Sequence, residues 1–308
     1  MKKQYFAALG LSALALAVAT PAGAQQLERG VPVVSQEVAG HLEGFSFREG
    51  PVSKLEFRGT AIALAADGKG EVEFQDGRAR VEVSVRKLPN PWSLGPYSTY
   101  ILWAVTADGR ANNLGTLELR DGRGDLETST PLSQFALIVS AEPHFAVTAP
   151  SKAIVLRNLG RSIKGESVTI AGLTERLDYA GLSPQPFDPR SRVPLELVQA
   201  RYALDIARTA QADQYASKEF TQAAQRLTEA EEAQASKRYR IRKTAPRLSR
   251  EAVQMAEDAR RQAVMGKETA DASARSVAAA AAAREQAETK AELEARMALE
   301  ESKKRERE

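Results

Sequence analysis

The sequence predicts a β + α multidomain protein: an N-terminal immunoglobulin-like antiparallel β-sandwich, a Pro-rich linker, and a C-terminal α-helical hairpin with a long alanine-rich helix. Three observations carry this. From Leu55 to Ile170, short apolar stretches with period-two alternation are separated by Asp-Gly turns. From Gly172 to Pro194 the composition shifts to Pro, Ser and Gly. After Pro194 the chain holds one further proline, Pro246, and one glycine, Gly266, and is dominated by the strong helix formers Ala, Glu, Arg, Gln and Lys. The expected divisions are a signal peptide over 1–24, the sandwich over 25–171, the linker over 172–193, a helical hairpin over 194–265, and a long charged alanine-rich helix, a candidate coiled coil, over 266–308.

The chain begins as an export signal does. Lys2 and Lys3 form a basic start, Phe6 to Ala19 an apolar run, and Ala22-Gly23-Ala24 a small-residue cleavage site. The run falls short of the ~20 residues a membrane span needs, so cleavage after Ala24 and a periplasmic product without a membrane span are expected. The 308 residues contain no cysteine, which removes disulfides, thiol chemistry and cysteine-held metals. A net charge of only +3 argues against a dedicated nucleic-acid binder.

Val31, Val33 and Val34 are a candidate edge strand, with Pro32 among them. Leu55-Glu56-Phe57 and Ile62-Ala63-Leu64 read as short alternating pieces, with a turn at Asp67-Gly68 and Lys69-Gly70. Val72 and Phe74 alternate with acids, and Asp76-Gly77 is a hairpin signal. Val81, Val83 and Val85 face one way and Glu82, Ser84 and Arg86 the other, as in a half-buried strand. Pro89, Pro91, Gly95 and Pro96 form a loop carrying Trp92 and Tyr97. Tyr100 to Val105 is the most apolar run after the signal and the expected central strand, with Trp103 in the core. Leu114, Leu117 and Leu119, then Phe135 to Val139, Ala153 to Leu156, and Val168 to Ile170 as an edge, complete the sandwich.

Within this region "YILWAVTADGRANNLGTLEL" and "PLSQFALIVSAEPHFAVTAPSKAIVL" resemble the extracytoplasmic β-domain of anti-sigma-K factors. The matching residues are Tyr100, Leu102, Trp103, Asp108, Gly109, Leu114, Gly115, Phe135, Glu142 and Pro143. The resemblance spans Tyr97 to Leu156 and implies fold only, because that family's sigma-binding part and membrane helix have no counterpart here.

Three helices are expected after the linker: Pro194 to Ala212, Lys218 to Ser236 with Ser217 as its cap, and one from Pro246, capped by Thr244, past Glu300, with Gly266 as a candidate break. Their apolar stripe is mostly alanine, which permits close helix approach but buries little area. The stretch from Val193 to Arg260 resembles an alanine-rich periplasmic helical domain of unknown function, through Ala200 and Arg201, Tyr215 and Ala216, and Ala252, Ala256 and Ala259. Bacterial proteins of that kind often join it to an N-terminal β-domain and a C-terminal OmpA-like domain that grips peptidoglycan. Here the chain ends in "ALEESKKRERE" with no OmpA-like domain, so peptidoglycan binding is not implied.

No catalytic constellation is legible. His41 and His144 are far apart and read as satisfied or solvent-exposed side chains. Arg123-Gly124-Asp125 reads as a turn. No Ser-His-Asp arrangement, G-x-S-x-G or phosphate loop is present, and no catalytic, cofactor or metal residue is assigned. Two surface candidates stand out. Lys237, Arg238, Arg240, Arg242 and Lys243, continued by Arg247 and Arg250, form a run with no acid between Glu232 and Glu251. It is either a solvated connection or a contact for an anionic envelope lipid or cell-wall polymer. Trp92 and Tyr97 are either packed over the sandwich end or an exposed aromatic contact. The expected function is non-enzymatic: a periplasmic spacer or interaction scaffold that associates with itself or another envelope protein through the C-terminal helix. The alternative is a binding module for the anionic ligand, through the basic segment 237–250 or the Trp92 loop.

Overall fold

A computed structural model describes residues 42–170 and 172–308. The expected export signal, the valines at 31, 33 and 34, and His41 lie outside the described residues. The strands are β1 (Leu42–Phe47), β2 (Ser53–Gly59), β3 (Asp67–Gln75), β4 (Arg78–Arg86), β5 (Thr99–Val105), β6 (Ala111–Arg120), β7 (Arg123–Thr130), β8 (Gln134–Glu142), β9 (Ile154–Ser162) and β10 (Gly165–Ile170). The helices are α1 (Leu195–Thr209), α2 (Ala212–Tyr215), α3 (Ser217–Ala235), α4 (Tyr239–Arg242) and α5 (Ala245–Arg305).

The β-domain is a closed barrel, which corrects the expected immunoglobulin-like sandwich. Eight antiparallel strands run β8-β5-β6-β7-β4-β3-β2-β9, and β9 pairs back onto β8 through Ile138↔Arg157, Val139↔Leu156 and Ser140↔Ile154. A sandwich and a small barrel share the same alternation and turns. They differ in whether the last strand returns to the first, a pairing between distant residues that local pattern does not encode. β1 and β10 form a flap, attached where β1 pairs the start of β8 at Phe45↔Phe135. Asn158 stitches this junction: its Oδ1 accepts the Leu137 N–H at 2.6 Å and its Nδ2 donates to the Glu43 carbonyl at 3.1 Å.

The barrel interior is filled by side chains, as eight strands allow. Phe57, Tyr100, Leu102, Phe135 and Leu137 pack against small partners such as Ala79, Ala104 and Ala141. The Asp76-Gly77 turn closes the β3–β4 hairpin with φ of 51° and 74°, the left-handed pair such a two-residue turn needs. Two local expectations are corrected. Asp67 to Gly70 begin β3 instead of forming a turn, and the turn lies over 61–65. The glycines serve packing there: a Cβ on Gly70 would come within 3.0 Å of the Phe57 ring. Arg123-Gly124-Asp125 begins β7, and the Asp125 carboxylate accepts from the Ser84 hydroxyl at 2.5 Å.

β5 and β8 are buried on both faces. Tyr100, Leu102 and Ala104 point into the barrel, while Ile101, Trp103 and Val105 lie on its outer wall. Trp103 is fully buried, but on that wall and not between two sheets. The outer cluster is covered by Leu173, Leu177, Tyr179 and Leu182 of the connecting segment and by Ile206 of α1.

The helices form a three-helix bundle. α3 runs antiparallel to α5, and Arg201–Glu231, Arg226–Glu251 and Arg250–Glu196 ion pairs tie the three long helices at 2.8, 3.3 and 2.5 Å. Ala200, Ala203, Ala223, Ala230, Ala252, Ala256 and Ala259 are buried between them. Neither Ser217 nor Thr244 makes the expected side-chain cap: α3 starts at Ser217 itself, and the Thr244 hydroxyl donates back to Ile241. Gly266 does not break α5. A Cβ there would stand 3.3 Å from the Tyr215 carbonyl, so glycine lets the α2 turn approach the helix closely. Among the described residues no helix is long and apolar enough to cross a membrane.

Candidate functional site

The basic run occupies the connection between α3 and α5, at one end of the bundle. α3 stops at Ala235, the single turn α4 follows, and α5 starts at Ala245. Arg247 pairs with Glu251 and Arg250 with Glu196. Lys237, Arg238, Arg240, Arg242 and Lys243 have no carboxylate partner among the described residues. Two apolar side chains project from the same turn, Tyr239 at 60% exposure and Ile241 at 40%. Lys243 Nζ lies 4.9 Å and Arg242 Cζ 6.0 Å from the Tyr239 ring centroid, so cations flank the aromatic face. Arg242 also donates to the Ser236 carbonyl at 3.2 Å, fixing the turn.

Trp92 and Tyr97 do not join this site. Trp92 sits in a 3-10 turn, Pro91–Ser93, and packs edge-on against Phe187 with centroids 5.1 Å apart. Tyr97 meets Tyr179 in the same manner at 6.4 Å. Both partners come from the connecting segment over 172–193, which therefore runs along the barrel. A shallow cleft of about 610 Å³ lies at one barrel end between Ile62, Leu64, Leu88 and Asp121. It is open to solvent, and its one cation, Lys87, is held by Asp67 at 3.0 Å.

A second cluster, unforeseen from the sequence, lies where the barrel meets α5. The loop after β8 tucks His144 and Thr148 against the helix. Arg260 grips Glu257 with two hydrogen bonds, Nε to Oε2 at 2.8 Å and Nη2 to Oε1 at 2.7 Å. Thr148 closes the triangle: its hydroxyl donates to Glu257 Oε1 at 2.9 Å and accepts from Arg260 Nη2 at 2.9 Å. His144 is fully buried, its Nε2 is 3.9 Å from Glu257 Oε2, and neither ring nitrogen has a hydrogen-bond partner. This corrects the expectation of a satisfied or exposed histidine; barrel–helix packing encloses a loop that local sequence reads as solvated. Nearby, Trp103 Nε1 donates to the Ser140 hydroxyl at 2.7 Å, Ser140 donates to Glu142 Oε1, and the Ser151 N–H reaches the same oxygen at 2.7 Å. Glu142 Oε2 and the Tyr179 hydroxyl are buried without partners. The only early signals were the acid and histidine bracketing Pro143 in a core-strand exit.

Burial shifts the protonation of Glu142 and His144 in opposite directions, and stability should report it. Burial pushes the Glu142 carboxyl up to about 8 from 4.5, against the hydrogen bonds of Ser140 and Ser151. The folded chain then keeps a proton that the unfolded chain releases, so stability falls as pH rises from about 4.5 to about 8. Burial pushes His144 down to about 4 from 6.5, with Arg260 acting in the same direction and Glu257 opposing. The unfolded chain then takes a proton that the folded chain refuses, so stability also falls as pH drops from about 6.5 to about 4. Glu142→Gln should flatten the alkaline decline of the urea midpoint and leave the acid one. Parallel curves for wild type and Glu142→Gln above pH 4.5 would contradict this assignment.

Glu142 and His144 are at 0% exposure and Glu257 at 2%, with Thr148 at the solvent edge, so the cluster joins the barrel to the helix. No family model, curated protein or solved structure matches the chain.

Proposed function

We propose that this protein is a non-catalytic scaffold of the bacterial envelope that uses α5 to pair with a second helix, from another copy of the chain. One observation carries the reading. From Lys267 to the end of α5 every residue is exposed, so roughly forty residues of helix, about 60 Å at ~1.5 Å per residue, leave the bundle unaccompanied. Helices normally draw most of their stability from a packed face. The barrel, the connecting segment and the bundle act in this reading as a head that carries the rod. Export to the periplasm, and kinship with the anti-sigma-K β-domain and the alanine-rich helical domain, belong to the same proposal and rest on the sequence motifs.

The exposed segment offers two faces. Ala280, Ala283, Ala287, Ala291, Ala295 and Ala298 keep one stripe, whereas Leu293 and Met297, at 60% and 65% exposure, lie about 200° round the helix from Ala291 and Ala295. Pairs such as Arg296 with Glu292, at 2.7 Å, add only ~0.2–0.5 kcal/mol each. Hydrogen exchange on the full chain across a concentration series should therefore show protection from Ala270 to Met297 that rises with concentration, together with a mass above the monomer's. Strong protection in a chain that stays monomeric at every concentration would remove the pairing role.

A further inference from the structure

We infer that the α3–α5 tip is a docking surface for an anionic phospholipid bilayer. The inference is independent of what pairs with α5.

The tip has the two properties that such a surface requires, in one place. The first is uncompensated positive charge. Lys237, Arg238, Arg240, Arg242 and Lys243 fall within seven residues, and no acid lies between Glu232 and Glu251. The chain as a whole carries only +3, and Arg201, Arg226 and Arg250 elsewhere in the bundle are paired across helices with Glu231, Glu251 and Glu196. The second is exposed apolar surface among those charges. Tyr239 and Ile241 project from a turn whose other two residues are arginines. A polar, solvated connection has no use for a 60%-exposed tyrosine and a 40%-exposed isoleucine two residues apart in one turn. At a bilayer both gain a place: the ring and the branched chain enter the interfacial layer, while the cations stay at the level of the lipid phosphates.

This combination distinguishes a bilayer from a soluble polyanion. A polyanion neutralises the cations but has no layer to receive Tyr239 and Ile241. The cations flanking the Tyr239 ring, Lys243 at 4.9 Å and Arg242 at 6.0 Å, keep positive charge beside the aromatic. The position in the fold is also suitable. α5 starts at Ala245, two residues after Lys243, so the rod departs from the docked end and carries its far end up to about 90 Å away along its axis.

The test is co-sedimentation of the full chain with phosphatidylcholine vesicles that carry a minority of phosphatidylglycerol, against pure phosphatidylcholine, with retention on immobilised polyphosphate as the soluble-polyanion arm. Binding is expected to the anionic vesicles only and to weaken with salt. One basic residue at an anionic surface is worth about a fivefold change in partition. The combined Arg238→Gln, Arg240→Gln, Arg242→Gln and Lys243→Gln variant should therefore lose roughly two to three orders of magnitude. Tyr239→Ser with Ile241→Ser should lose at least about tenfold on vesicles and leave polyphosphate retention unchanged. Circular dichroism should show both variants as helical as wild type, since every substituted side chain lies outside the core. Failure of the wild-type chain to bind anionic vesicles at low salt would overturn the inference, as would equal binding to pure phosphatidylcholine. Vesicle binding that survives Tyr239→Ser with Ile241→Ser undiminished would also overturn it and would identify the tip as a site for soluble polyanions.

Discussion

Arg260→Ala should destabilise the chain by about 3–5 kcal/mol, the range for a buried ion pair deprived of one partner. The guanidinium supplies two of the hydrogen bonds that Glu257 receives, and Glu257 is 2% exposed. Without it a carboxylate remains in the barrel–helix junction with only the Thr148 hydroxyl donating to it. His144, 3.9 Å away, is a proton acceptor that burial keeps neutral, and it does not replace the lost charge. The same reasoning predicts a different result for the pair. Glu257→Leu with Arg260→Met removes both charges and restores apolar volume, so it should cost much less than the single change, since buried pairs are often no better than well-packed apolar substitutes. Thr148 then loses both partners, but its side chain is exposed, so water replaces them and little penalty is added. Urea unfolding of the three chains decides the matter. Equal losses for the single and double variants would mean that the pair contributes through packing volume and not through charge.

The parts of this architecture that were legible from sequence are those that short-range chemistry sets. Asp76-Gly77 reads as a hairpin because few other residue pairs accept two positive φ angles, and it is one. The alternation in Val81, Val83 and Val85 places them inward, and all three are buried. Helix propensity after Pro194 marks α1, α3 and α5 to within a few residues. The errors share a cause. Gly68 and Gly70 look like turn residues until Phe57 is seen across the ladder. Gly266 looks like a break until Tyr215 is seen against it. Barrel closure depends on β8 meeting β9, and both strands read the same in a sandwich.

The candidate sites divide along the same line. The basic run is a property of composition and was visible as such. That Tyr239 and Ile241 stand exposed among it follows from where α3 and α5 end, which side-chain chemistry alone does not reveal. The junction cluster was illegible, because Glu142, His144, Glu257 and Arg260 come from two domains. On a helical wheel Glu257 and Arg260 resemble the ordinary surface pair formed by Asp258 and Arg261, which is indeed exposed. Only the loop carrying Thr148, folded against α5, turns one of two similar pairs into a buried one.

Trp103→Ala should cost about 3–5 kcal/mol, the range for removing a large aromatic from a packed site. Trp103 is among the largest fully buried side chains of the chain. The conventional reason would be a hole in the barrel interior, but this indole lies outside the barrel, in the cluster that Tyr179, Leu177 and Ile206 complete. Its removal therefore strikes the junction between barrel, connecting segment and bundle. The polar side adds to the loss. The indole N–H is the donor to Ser140, which in turn donates to Glu142, so an alanine leaves the Ser140 oxygen without that donor in a place no water reaches without a cavity. Trp103→Phe separates the two contributions: it keeps most of the apolar area and loses the donor, and should cost less than the alanine but more than a volume-conserving apolar swap, which usually stays under ~1.5 kcal/mol. If the wall is what joins the domains, Trp103→Ala should also raise hydrogen exchange in α1 and around Glu257 while the barrel strands β3 and β4, remote from the junction, keep their protection. Uniform loss of protection across β3, β4 and α1 would show instead that the barrel and bundle unfold as one unit. A near-neutral effect of Trp103→Ala on the unfolding midpoint would contradict burial at this wall.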